Sequence, residues 1–188
     1  MTHTADTAGP GAGAPAGRVH VWDGLVRAVH WAVAILFLLN FAILEEGEAL
    51  HRYAGYAILT LVSLRLGWGI VGTRYARFSA FPPSVSAAIR HLGGVLSGRV
   101  ERHLSHNPLG ALMAYLLWAL LIAICLTGMA TWTGALGEET GEALHEFFAN
   151  LAAAAILVHI GGVVFETWRS RVNLVRAMVT GDKDPPAR

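Results

Sequence analysis

The stretch LHEFFANLAAAAILVHIGGVVFETW, residues 144–168, carries the clearest structural signal in the chain. It is almost free of charge, and it contains His145 and His159. About 20 apolar residues are needed for a helix to cross a hydrocarbon core of about 30 Å. In lipid such a segment is helical, because no water is present to satisfy its backbone groups. The stretch therefore predicts a transmembrane helix over about residues 142–166.

Three further apolar runs of similar length lie at about residues 25–44, 50–71 and 109–131. The whole chain is 54% hydrophobic and only 14% charged, whereas a soluble domain is about a quarter charged. We therefore expect an all-α, integral membrane four-helix bundle forming one domain over residues 18–183. Residues 1–17, which are mostly Ala, Gly, Thr and Pro, predict a disordered tail, and residues 184–188 a short C-terminal tail. A net charge of +1 gives no support for a nucleic-acid partner.

The segment between the second and third apolar runs is not all loop. Val85, Ile89, Leu92 and Leu96 share one face at helical spacing. This pattern predicts an amphipathic helix, over about residues 84–98, that lies on the membrane surface.

Charged residues divide between the two sides of the predicted bundle. Because basic residues concentrate on the cytoplasmic side of bacterial membrane proteins, the pattern predicts that both termini are cytoplasmic and that the chain spans the inner membrane several times. The basic side carries Arg18, Arg27, Arg74, Arg77, Arg90, Arg99, Arg102, Arg169, Arg171, Arg176, Lys183 and Arg188. The opposite side carries Glu45, Glu46, Glu48, Glu138, Glu139 and Glu142, with Arg52 as its one basic residue.

Four of the nine histidines fall at two depths in the predicted bundle. His145 and His159 are fourteen residues apart, so they share a helix face and lie about 21 Å apart along the axis. His51 begins the second helix at the outer level of His145. His30 lies early in the first helix, at the cytoplasmic level of His159. The depths therefore predict the pairs His51–His145 (outer) and His30–His159 (inner).

Paired histidines suit the two axial positions of a haem iron. Zinc or copper is an alternative, but a site for either usually gathers three or four ligands at one point, and each depth gathers two. A lone histidine at a helix end, such as His51, would be an ordinary interfacial residue. The chain has one cysteine, Cys125, and no CxxCH motif, so any haem is bound non-covalently. We therefore predict two haems b, each between two histidines.

Two arginines are candidates for binding the haem propionates. Arg65 lies fourteen residues after His51, hence on the same helix face but near the cytoplasmic end. A membrane arginine normally faces the bundle and meets an anion, so we expect it to bind the inner haem. Arg52 would do the same for the outer haem. The alternative for both is that the side chain extends to the lipid head groups.

The chain resembles the bacterial cytochrome b561 and Ni,Fe-hydrogenase cytochrome b family from about Val21 to Lys183. The resemblance rests on VWDGLVRAVHW (21–31), LHRYAGY (50–56), RLGWGIVGTRYARF (65–78), HNPLGALM (106–113), LHEFFANL (144–151) and NLVRAMVTGDK (173–183). It implies a four-helix di-haem b cytochrome with its iron ligands at His30, His51, His145 and His159. It also implies electron exchange between a quinone pool, ubiquinone or menaquinone, and a partner such as a c-type cytochrome or a hydrogenase. Some relatives instead oxidise superoxide and reduce ubiquinone.

The charge pattern favours an electron-transfer subunit over a stand-alone superoxide oxidase. Superoxide is an anion, and the acidic outer connections would repel it while attracting a basic protein partner. A haem-free membrane anchor is a third possibility that the paired histidines disfavour. For the quinone we expect a site at the inner end near Arg65, Glu166, Trp68 and His106. The alternative for Glu166 is simple charge balance with Arg169.

Overall fold

The computed structural model describes residues 18–99 and 103–184. The predictions made for residues 1–17, Arg102 and residues 185–188 lie outside this part of the chain. The helices are α1 (Gly24–Ala42), α2 (Ala49–Val71), α3 (Val85–Leu96), α4 (Pro108–Trp132), α5 (Glu138–Ser170) and α6 (Leu174–Thr180). A single 3-10 turn, Phe78–Ala80, lies between α2 and α3, and two short strands are β1 (Val19–His20) and β2 (Asp182–Lys183).

Four of these helices, α1, α2, α4 and α5, are long and apolar enough to cross a membrane. Helix α4 packs against α5 and α2, and α2 packs against α1. The shared core is built from Phe37, Ile58, Val62, Leu120, Leu121, Cys125, Ala152 and Ala155. Large apolar side chains also face outward on every one of the four helices, for example Leu38, Leu64, Leu126 and Leu157. An apolar interior inside an apolar exterior is what a lipid-embedded bundle requires, so the chain is a multi-pass membrane protein.

Helix α5 is longer than the sequence pattern predicts. It runs over 33 residues from Glu138 to Ser170, whereas the apolar run indicates only about residues 142–166. The extra turn at its start is acidic, with Glu138 and Glu139 near the N-terminus of the helix, where the helix dipole favours negative charge. It ends at Arg171, which adopts the left-handed conformation with a φ of 55°.

The strand pair is a feature that the all-α expectation does not include. Strands β1 and β2 are antiparallel, with Val19 opposite Lys183 and His20 opposite Asp182. They join the segment before α1 to the segment after α6. A second buried cluster, Val21, Trp22, Val26, Ala76 and Ala177, lies beside them. The two ends of the described chain are therefore tied together at one end of the bundle.

Helix α3 is amphipathic and packs against α4. Ala88 and His91 are its buried residues, and the Ser84 side chain caps the helix by accepting a hydrogen bond from the backbone N–H of Ala87. The apolar face points away from the bundle, with Val85, Ile89, Leu92 and Leu96 all exposed.

Candidate haem-binding sites

The bundle has two chemically different ends, which we call the acidic end and the basic end. The acidic end holds the α1–α2 and α4–α5 connections, where Glu45, Glu46, Glu48, Glu138, Glu139 and Glu142 are all exposed. The basic end holds the start of α1, the end of α2, the start of α4 and the end of α5. His51 and His145 lie toward the acidic end, and His30 and His159 toward the basic end.

At the acidic end the structure brings His51 and His145 together. Their ring centroids are 6.0 Å apart, and the ring planes are inclined at 66°. A bond between a metal and an imidazole nitrogen is about 2 Å long, so two imidazoles on opposite sides of one metal have ring centres about 6 Å apart. The observed separation therefore fits a bis-histidine site.

The hydrogen bonds of His145 indicate which ring nitrogen is free. Its Nδ1 is 3.0 Å from the carbonyl oxygen of Ile124, and Thr127 Oγ1 is 3.4 Å away. A carbonyl oxygen can only accept, so Nδ1 carries the hydrogen, a tautomer assigned from the partner. Histidines that bind metals commonly donate this second N–H to a carbonyl, which leaves Nε2 for the metal.

Gly128, on α4, is a site residue that the sequence analysis does not identify. A Cβ atom at this position would lie 3.0 Å from Cε1 of His145. A side chain here would therefore press on the His145 ring. Glycine is common in packed membrane helices, so no local pattern distinguishes Gly128 from the other glycines of the chain.

Arg52 is held by neighbouring groups at the acidic end. Its guanidinium lies over the Trp132 ring, 3.8 Å from the centroid, and donates a hydrogen bond to the carbonyl of Gly47. These contacts join the start of α2 to the end of α4. The structure thus places Arg52 in a cation–π contact, and the guanidinium keeps further N–H donors for an anion.

At the basic end, His30 and His159 are near enough to interact electrostatically. The Nδ1 atom of His30 is buried and has no hydrogen-bond partner within the described ranges, and its ring meets Trp31 edge-on at 5.2 Å. This pair is therefore supported by proximity, while the His51–His145 pair is supported by ring geometry.

Arg65 is buried beside this pair, with only 5% of its surface exposed. It donates from Nη2 to the carbonyl of Ala76 at 3.2 Å, and it lies over the Trp118 ring at 5.0 Å. Its Nη1 is buried without a partner among residues 18–99 and 103–184. A buried arginine that faces the bundle and keeps a donor available suits an anionic group, so its position fits the predicted propionate contact.

His106, just before α4, lies close to the same group of residues. Its ring packs between Trp22 at 4.9 Å and Phe81 at 4.5 Å. Burial, together with the nearby charges of Lys183, Arg65, His159 and His30, lowers the pKa of His106 to about 3. The imidazole is therefore neutral near pH 7 and offers one N–H donor.

Two residues proposed for a quinone site have other partners. Trp68 donates from Nε1 to Asp23 Oδ2 at 2.9 Å, and Glu166 Oε2 accepts from Arg169 Nη1 at 3.4 Å. The contact with Arg169 agrees with the alternative that Glu166 balances charge. A polar cleft of about 410 Å³ opens nearby. It is lined by Arg74, Tyr75, Ser79, Ala80, His103, Leu104, Ser105 and His106.

Among the described residues, the histidines that could bind a metal lie close together in twos and not in larger clusters. In the described part of the chain, no group of three or more His, Cys, Asp or Glu side chains is placed to hold a metal ion. Zinc and copper sites usually need such a group, whereas haem needs two axial ligands. Histidines that lie close together in twos within a membrane bundle, His51 with His145 and His30 with His159, suit the class of haem-binding membrane proteins.

Comparison with known proteins gives the family. The sequence profile of the prokaryotic cytochrome b561 family matches residues 21–181, and the chain belongs to this family. It is also similar to a probable Ni/Fe-hydrogenase B-type cytochrome subunit from Rhizobium leguminosarum bv. viciae. The two are 23% identical over an alignment that covers 88% of each chain. No solved structure matches the chain. The protein is therefore a membrane electron-transfer protein that uses haem b.

Proposed function

We propose that the protein binds two haems b and carries electrons across the bacterial inner membrane between the quinone pool and a redox partner. His51 and His145 would bind one haem at the acidic end, and His30 and His159 the other at the basic end. The observation that carries the proposal is the 6.0 Å ring separation of His51 and His145, together with a second histidine pair about four helical turns away along α5.

When bound, the haems supply one-electron chemistry at potentials that the surrounding protein sets. The chain's own residues orient and tune them. The Ile124 carbonyl holds the His145 ring in one tautomer, and Arg65 supplies positive charge for a propionate. The apolar core between the two levels excludes water from the middle of the bundle.

The basic end faces the cytoplasm in this proposal, which places both termini inside and α3 on the inner membrane surface. The support is the concentration of arginines at that end and the exposed apolar face of α3. Reporter fusions test the orientation. An alkaline phosphatase fused after residue 184 should be inactive, and the same enzyme inserted at Gly47 should be active.

A haem count tests the central claim. The pyridine haemochrome assay on purified protein should give two haems b per chain, with low-spin, six-coordinate spectra. One haem per chain, or none, would refute the proposal. A haem-free protein would point to a membrane anchor instead.

For the quinone we place the headgroup at the basic end, in the polar cleft beside His106. Its volume of about 410 Å³ is in the range of small-molecule sites, and Arg74 and Ser79 offer donors to quinone carbonyls. Arg74→Ala with Ser79→Ala should slow haem reduction by quinol several-fold. The matched control is Glu166→Gln, which should have little effect because Glu166 pairs with Arg169. The reverse pattern would place the site elsewhere.

The redox partner at the acidic end would be a basic protein, such as a cationic c-type cytochrome, or a hydrogenase-like subunit. Six exposed carboxylates surround this end, and the one basic residue that the sequence places there, Arg52, stacks on Trp132. The resulting field attracts a cation and repels superoxide. Electron transfer to a protein is therefore favoured over superoxide oxidation.

A further inference from the structure

Lys183, in β2, is a buried lysine with an unusual set of partners. Only 7% of its surface is exposed. Its ammonium Nζ donates hydrogen bonds to three successive carbonyl oxygens, those of His103 at 3.0 Å and of Leu104 and Ser105 at 3.1 Å each. One cation from the end of the chain thus holds the turn that leads into α4.

The three bonds use all three hydrogens of the ammonium group. Burying a charge is costly unless it is hydrogen-bonded, and here each bond is charge-assisted, which makes it stronger than a neutral one. Burial lowers the pKa of Lys183 to about 8, although the charge of Glu166 acts in the opposite direction. The side chain is therefore still mainly charged at pH 7.

The turn that Lys183 holds ends at His106, the next residue along the chain. Trp22 contacts both groups, because its ring lies 4.9 Å from the His106 ring and 6.0 Å from Lys183 Nζ. His106 interacts electrostatically with Arg65, His159 and His30. Its Nδ1 is buried and has no hydrogen-bond partner within the described residues. A buried ring nitrogen without a partner is costly, and the tautomer with its hydrogen on Nδ1 requires a nearby acceptor.

We propose that Lys183 is a positioning residue for the haem at the basic end, and that it fixes His106 so that Nδ1–H donates a hydrogen bond to a haem carboxylate. The inference rests on the proposed function, since it requires a haem between His30 and His159. Arg65 and His106 would then both bind haem carboxylate oxygens. Arg65 supplies a charge, and His106 supplies a neutral donor whose direction depends on the 103–105 turn.

Removing the His106 donor should lower the midpoint potential of one haem. A less neutralised carboxylate stabilises the ferric form, so His106→Ala should change the reduced-to-oxidised ratio at a fixed potential by up to about tenfold, or about 59 mV for one electron. Redox titration of quinone-free protein in detergent measures the midpoint potentials of both haems in one experiment. The haem at the acidic end serves as the internal control, and its potential should not move. His106→Gln, which retains an N–H donor, should recover part of the shift.

Lys183→Met tests the positioning role, because it keeps the apolar stem and removes the ammonium. It should shift the same haem in the same direction by a smaller amount. The His106→Ala, Lys183→Met double variant should equal His106→Ala alone, since residues that act through one another are not additive. The matched control is Asp184→Asn, which breaks the exposed 3.5 Å pair of Asp184 with Arg18 beside the same strand and should leave both potentials unchanged.

The proposed function and this further inference would be refuted by different results. If the wild-type protein binds fewer than two haems, the proposed function fails and this inference fails with it. If two haems are bound but His106→Ala leaves both potentials unchanged, only the carboxylate contact is refuted. If the shift appears only after quinone is added, His106 binds the quinone headgroup and the inference is wrong. An additive double variant would refute the role of Lys183 alone.

Discussion

At the scale of single residues, the orientation of each candidate histidine ring depends on the atoms that surround it. His145 is oriented by the Ile124 carbonyl at 3.0 Å, and Gly128 leaves the space that its ring occupies. The Nδ1 atoms of His30 and His51, one in each proposed pair, are instead buried without a partner within the described residues. His145 is therefore held by a backbone contact that the described residues give to neither His30 nor His51.

The pairing of the histidines predicts which substitutions affect the same haem. His51→Ala and His145→Ala should each remove one spectral component, and His30→Ala and His159→Ala the other, because each haem needs both axial ligands. Low-temperature absorption spectra of the reduced variants measure this. If His30→Ala and His51→Ala deplete the same component, the assignment to two levels is wrong.

Gly128→Val should displace His145 and weaken the haem at the acidic end. A Cβ alone would lie 3.0 Å from Cε1 of His145, closer than ordinary van der Waals contact, so the ring would have to move. We expect loss of that haem's low-spin signal in the EPR spectrum, with the other signal retained. Gly161→Val, on the lipid side of α5, is the control, because a Cβ there meets nothing within 4 Å. Equal haem loss in both variants would contradict the role given to Gly128.

At the scale of the elements, Asp23 joins the start of α1 to the end of α2. Its Oδ1 accepts from the backbone N–H of Val26 at 2.9 Å, and Oδ2 accepts from Trp68 at 2.9 Å and Thr73 at 2.6 Å. Desolvation by burial raises the pKa of Asp23, but the hydrogen bonds from Thr73, Trp68 and the backbone outweigh it, so the net pKa is lowered. Ionised Asp23 is thus favoured in the folded protein.

Asp23→Ala should destabilise the protein by about 1–3 kcal/mol, through loss of a helix cap and of charge-assisted bonds. The folded pKa lies below the ordinary value of 3.8. The contribution of ionisation is therefore present above pH 3.8 and is lost as the pH falls through the lowered value. Thermal unfolding in detergent at neutral and acidic pH measures this difference in stability between the variant and the wild type. Asp23→Asn, which retains the cap, should lose less, and its difference from wild type should shrink on acidification. A constant difference would contradict this account.

At the scale of the whole molecule, the separation of charge between the two ends has a kinetic consequence. Neutralising Glu45, Glu46 and Glu48 to Gln should slow electron exchange with a cationic c-type cytochrome at low salt. The effect should fade as salt rises, since charges more than about 8 Å apart are largely screened at physiological ionic strength. The haem spectrum should not change. Stopped-flow traces at two salt concentrations provide the measurement.

The same triple variant distinguishes the two functions. A weaker negative field should slightly improve any reaction with superoxide. If the variant instead loses superoxide oxidation and keeps its exchange with the cytochrome, superoxide oxidation becomes the favoured function. The control is Glu166→Gln at the opposite end, which should change neither rate because it lies far from the proposed docking surface.

The spans and the candidate haem residues could be predicted from local sequence. Lipid leaves an apolar segment of about 20 residues no alternative to a helix, and a helix of about 3.6 residues per turn places residues fourteen apart, such as His145 and His159, on one face. Other features depend on residues far apart in the chain, which no local pattern relates. Lys183 binds the carbonyls of the 103–105 turn, which lies about 80 positions earlier in the chain. Asp23 accepts from Trp68 and Thr73, and Gly128 faces His145. Packing of the helices brings these groups together, because side-chain contacts between elements depend on how those elements meet and not on their own periodicity.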